Sequence, residues 1–144
     1  MALRTYDPKQ VVLTVGGVPI NGFADGTFIS VERSSDTFEK VSGADGITSR
    51  AKINDFSGSL VVTLAQTSPS NDVLSSIALL DEASSSGVVP VLLKDVGGST
   101  IIFSAKGWIK KPPTVEYGKA ITNREWALDL ADLDFLVGSN PLNA

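Results

Sequence analysis

The sequence predicts a mainly β protein: a β-sandwich or small β-barrel with one flanking α-helix and a long inter-strand hairpin loop. Three observations predict it. Short runs that alternate apolar and polar residues recur along the chain, as half-buried strands require. Glycine pairs and Asp-Gly steps punctuate those runs and supply turns with positive φ. Only one stretch, TSPSNDVLSSIALLDEA at 67–83, repeats apolar residues at helical spacing.

Taken in order, QVVLTV and VPINGF flank Gly16-Gly17 and read as a hairpin. TFISVER puts Ile29 and Val31 on one face and Ser30 and Glu32 on the other. DTFEKV alternates again, and Ala44-Asp45-Gly46 supplies turn chemistry. SGSLVVTL places Leu60, Val62 and Leu64 toward a core, with Ser59, Val61 and Thr63 opposite. In the helical stretch Ser68 is placed to cap, Pro69 suits the first helical position, and Val73, Leu74, Ile77 and Leu80 or Asp81 follow at helical spacing. The chain then returns to strands: VVPVLLKDV, a Gly97-Gly98 turn, STIIFSAKGWI, a Lys-Lys-Pro-Pro interruption and TNREWALDLADL. In the last run Trp126, Leu128 and Leu130 share a face, and Glu125, Ala127 and Asp129 take the other.

Composition narrows the function. The 144 residues suit a single domain spanning 1–144, and 42% hydrophobic with 19% charged residues is a globular balance. With no Cys and no His the chain has no disulfide, no thiolate nucleophile and no imidazole base or ligand. A net charge of −4 argues against phosphate neutralisation as a binding mode. No window approaches the ~18 consecutive apolar residues of a membrane span. MALRTYDPKQ lacks the apolar stretch of a signal peptide, so the expectation is a protein made in the cytosol, soluble there and without a membrane partner.

Motifs for chemistry are sparse. Asp129, Asp132 and Asp134 cluster, but D-L-A-D-L-D lacks the glycine and ligand spacing of a calcium loop and reads as a solvated strand end. No cofactor or metal motif occurs, the serines lack a His partner, and nothing marks a carboxylate pair for glycoside cleavage. Trp108 and Trp126 sit in apolar alternations and read as core or interface, with a sugar-stacking platform as the alternative. Lys110-Lys111 before two prolines reads as an edge-strand guard, and VVLTV and IIFSA as strands with unpaired edges. The stretch from 36 to 59 raises a separate question, because it is long, polar and charged for a link between two strands.

Several segments together carry a resemblance: GFADGTFISVERSSDTFEKVSGADGITSR, the helix, AKGWIKKPPTVEYG and TNREWALDLADLDFLVGSN. Over nearly the whole chain they resemble the tail tube proteins of contractile-tailed bacteriophages, related in fold to the tube protein of type VI secretion. The resemblance implies a virion protein that is not an enzyme. Its homo-hexameric rings would stack into the tube that conducts DNA, with sheath, tape measure, baseplate and tail terminator proteins as partners. It implies that the long hairpin docks on the next ring through Glu39, Lys40, Asp45, Arg50, Lys52 and Asp55, making complementary pairs that fix rotation. It also implies a polar or acidic channel that DNA passes without being bound, and strand alternation then offers Ser30, Glu32, Ser59, Thr63, Glu125 and Asp129 as channel-facing residues. A monomeric β-sandwich carbohydrate-binding module and a small glycoside-cleaving enzyme are the alternatives.

Overall fold

A computed structural model describes residues 3–139 and 142–143. Twelve strands and one α-helix follow in the order β1 (Arg4–Thr5), β2 (Val11–Val15), β3 (Val18–Ile20), β4 (Ile29–Arg33), β5 (Phe38–Ser42), β6 (Thr48–Lys52), β7 (Gly58–Ala65), α1 (Ser70–Ser84), β8 (Val89–Asp95), β9 (Ile101–Lys111), β10 (Asn123–Leu130), β11 (Asp134–Leu136) and β12 (Leu142–Asn143), with a 3-10 turn at Pro8–Gln10. The main sheet runs β3-β2-β8-β9-β10-β7-β4, with β11 paired to β9. β5 with β6, and β1 with β12, form separate two-stranded sheets.

Strict alternation builds the main sheet. Every second residue of β7 is buried, and Leu60, Val62 and Leu64 have no exposure. β10 matches it from Arg124 through Trp126 and Leu128 to Leu130. The apolar residues among these join Leu13, Val15, Val91, Leu93, Ile102 and Ile109 of β2, β8 and β9 in one cluster. Strands at opposite ends of one sheet share a core only if the sheet folds over on its inner face, and α1 adds Leu74 and Ile77 to that interior. The result is sandwich-like with a flanking helix, and it does not close into a barrel.

The local signals act as their chemistry requires. Gly16 and Gly17 turn β2 into β3 with φ of 61° and 83°, a pair of positive values suited to a two-residue hairpin. Ser68 accepts the Ser70 amide at 3.2 Å and donates to the Asn21 carbonyl at 2.6 Å, which ties the start of α1 to the loop after β3; Pro69, expected at the first helical position, is instead the N-cap residue, which has no side-chain cap. Leu80 is half exposed, so the helix buries Leu74 and Ile77 rather than a longer stripe.

Two edge assignments are corrected. VVLTV lies between β3 and β8, and IIFSA between β8 and β11; the strands at the ends of the main path are β3 and β4. Likewise Lys110 and Lys111 end an interior strand, with Lys111 opposite Ala127, and guard no edge. Sheet order depends on pairings such as Val15 with Val91, which local pattern does not encode.

Candidate functional site

The outward side of the sheet has a definite composition. Residues directly opposite one another in antiparallel strands share a face, so the register arranges the outward residues in rows. One row reads Glu32, Ser59, Asp129, Trp108; the next reads Ser30, Val61, Ala127, Lys111; Thr63 faces Glu125 in the third. All six residues proposed from sequence for a channel therefore lie on one face of β4, β7 and β10. Three of them are carboxylates. Farther along the same sheet the outward rows are mixed: one reads Val12, Lys94, Ile101, Leu136 and the next Thr14, Leu92, Phe103, Asp134, with Val12, Ile101, Phe103 and Leu136 exposed.

The hairpin differs in kind. Every residue of β5 and β6 is exposed, and among the described residues their only strand partners are each other. The base is held by the Ser34 amide on the Ser57 carbonyl and the Ile53 amide on the Thr37 carbonyl. At the tip, Gly46 takes φ 84°, and Asp45 Oδ1 accepts the Ile47 amide at 3.2 Å.

Register sorts the hairpin charges by face. Phe38 pairs with Lys52 and Lys40 with Arg50, so three cations and an aromatic ring share one side; Glu39 with Ala51 and Val41 with Ser49 share the other. The Arg50 guanidinium lies 4.1 Å from the Phe38 ring centroid, which holds the cationic side flat. Asp55 stands at the base. Its carboxylate accepts the Ser57 hydroxyl at 2.6 Å, the Ser57 amide at 3.1 Å and the Ser35 hydroxyl at 3.0 Å. The Ser57 hydroxyl, then the Ser57 amide and the Ser35 hydroxyl, hold this carboxyl below its ordinary pKa. The six hairpin residues singled out from sequence thus divide: Lys40, Arg50 and Lys52 form one cationic face, Glu39 lies behind it, Asp45 occupies the tip and Asp55 clasps the base.

Other candidate chemistry finds little support in the arrangement. Trp126 is buried and donates Nε1 to Asn71 Oδ1 at 2.9 Å, while Trp108 is half-buried in the carboxylate row, so the two rings make no exposed platform. Glu116 and Glu125 both line a groove of about 290 Å³, but both are exposed, without the apolar enclosure that sets an acid apart from a base. Among the described residues no group of three acidic side chains is placed to hold a metal ion, and Asp129, Asp132 and Asp134 form no such site.

Sequence reasoning passed over Arg124. It occupies the inward phase with Trp126 and Leu128 and is 6% exposed. Its place two residues before Trp126 in the alternation was the available signal.

Comparison with known proteins settles what kind of molecule carries this sheet and hairpin. Residues 12–138 match the family model described as the bacteriophage PhiTE tail tube protein. The chain belongs to that tail tube family. Structural protein ORF10 of Pseudomonas phage KPP10 is 32% identical over 94% of this chain and 83% of its own length. Three solved structures share the fold at low identity. One is described as the tube terminating cap of the anti-feeding prophage, with TM-score 0.61 and 9% identity over 94% of both chains. Another comes from the virion of a native gene transfer agent, with TM-score 0.60 and 14% identity over 92% of this chain and all of that one. A third, from the sheath-tube complex of an extracellular contractile injection system in its extended state, has TM-score 0.54 and 13% identity over 92% of this chain and 91% of that one. The protein is a structural component of a phage tail.

Proposed function

We propose that this tail tube protein forms homo-hexameric rings which stack inside a contractile sheath and conduct the genome into the host cell, without enzymatic activity. The observation that carries the reading is the exposed hairpin on a member of the tail tube family. A lone two-stranded ribbon is marginal in water, and here Phe38, Val41 and Ile47 are exposed at 43%, 59% and 65%. A second copy in the adjacent ring supplies the missing surface, and such head-to-tail contacts repeat without limit. The exposed side chains of Val12, Ile101 and Phe103, interleaved with Lys94 and Asp134, fit lateral contact within a ring. Sheath, tape measure, baseplate and terminator proteins are the partners in this reading, the virion tail is its location, and the host cytoplasm is where it is made.

Within that tube the carboxylate rows of β4, β7 and β10 face the channel. Phosphates then meet no array of cations, no counterions are released and DNA slides without being held. Negative-stain microscopy of the purified chain tests assembly: rings or tubes are expected, and a dispersed monomer at every concentration, with tail initiation partners present, opposes it. The double variant Glu32→Lys, Asp129→Lys tests the channel. It should still assemble but retain DNA at low salt, and release it as salt rises. Equal DNA release by variant and unaltered tubes would remove these carboxylates from the channel.

A further inference from the structure

The two ends of the sheet complement each other in a way that identifies where the hairpin docks. β7 runs from Gly58, beside the hairpin base, to Ala65, just before α1. At ~3.3 Å per residue the two ends stand roughly 23 Å apart. At the α1 end lies a cavity of about 370 Å³ between the start of the helix and the 112–117 segment. Asn71 and Ser75 line one side, Val115 and Tyr117 the other, with Arg124 and Trp126 on its inner wall.

Arg124 is the anomaly there. The residue is 6% exposed, yet among the described residues its guanidinium donates only to neutral oxygens: Thr122 Oγ1 at 2.7 Å, the Asn123 carbonyl at 3.2 Å and the Glu116 carbonyl at 3.2 Å. The Tyr117 ring, 5.3 Å away and itself 80% exposed, completes the surroundings. A buried cation ordinarily has an anionic partner, because removing it from water costs several kcal/mol. In the adjoining groove Lys111 adds a cation, beside the exposed carboxylates of Glu116 and Glu125. The opposite end presents a single charge at the hairpin tip, the exposed carboxylate of Asp45, followed by exposed Ile47.

We propose that the hairpin tip of one copy inserts at the Arg124 cavity of a copy in the adjacent ring, with the Asp45 carboxylate facing the Arg124 guanidinium and Ile47 against Tyr117 and Val115. Opposite ends of one chain meet in any head-to-tail stack, so this pairing gives each subunit one donor tip and one acceptor cavity. The inference rests on the stacked-tube reading and adds the receiving site.

The chain has no cysteine, which makes a direct test clean. The double variant Ile47→Cys, Tyr117→Cys is assembled, oxidised and run on a denaturing gel without reductant. A ladder of covalent multimers is expected from tubes, because each subunit offers a thiol at both ends. Tubes that yield no ladder overturn the docking site while leaving the tube reading intact. Failure of the unaltered chain to assemble overturns the tube reading itself. Independently of the thiols, Asp45→Lys should raise the subunit concentration needed for tube growth about tenfold or more, since it opposes like charges at a buried site. An unchanged threshold contradicts the pairing.

Discussion

β7 and the β5–β6 hairpin are both antiparallel strands and end in opposite environments. SLVVTL gathers Leu60, Val62 and Leu64 on one face, all fully buried, whereas FEKVS divides Phe38 and Val41 between two faces and no residue of β5 is buried. The difference lies in what each strand pairs with. β7 has β4 on one side and β10 on the other, and its inner face meets the shared core. The hairpin has only itself. The chain alone therefore covers the apolar face of β7 and leaves the apolar residues of the hairpin uncovered.

The contrast can be broken most severely by removing the hairpin. Replacing Phe38–Lys52 with Asn-Gly should leave circular dichroism and thermal unfolding of the core nearly unchanged and abolish tube stacking under the microscope. Tubes of normal length in that variant would end the hairpin's role. On the other side of the comparison, Leu128→Ala should cost ~2–5 kcal/mol in denaturant unfolding, because Leu128 is fully buried. Val41→Ala should change the free subunit by less than about 0.5 kcal/mol. Comparable losses from the two substitutions would mean the hairpin is already packed in the monomer. Trp126→Phe keeps most of the buried ring but removes the bond to Asn71, and should cost about 1 kcal/mol. The smallest effect belongs to Asp55. Its folded pKa is depressed, so its stabilisation is present above the unfolded carboxyl pKa and is lost as pH falls through the folded value. Asp55→Asn should lower the stability of the free subunit slightly at neutral pH and leave the acid end unchanged, so that the acid limb of pH-dependent unfolding is slightly flatter.

Much of the fold was legible because its signals are local. Glycine pairs place turns, Ser68-Pro69 starts the helix, and the alternation in 57–64 and 124–130 identifies the inward face. Edges were not legible, since β2 finds β8 some 80 residues away and no local feature of VVLTV records it. The hairpin charges show the same limit at closer range. Lys40, Arg50 and Lys52 could be named from sequence, but their gathering on one face depends on the register set by the turn at 43–47. Asp45 before Gly46 and Asp55 two residues before Ser57 carried a readable signal, because aspartate accepts the amide two residues on. Arg124 was hidden by a habit of reading arginine as surface.

The central claim is that the hairpin is completed by another copy of the chain. Amide hydrogen exchange read separately on subunits and on assembled tubes tests it most directly, since exchange reports local opening. In free subunits the amides of β5 and β6 should exchange far faster than those of β7 and β10, and in tubes they should become protected while the core pattern stays the same. Hairpin amides that exchange equally fast in both states would contradict the account.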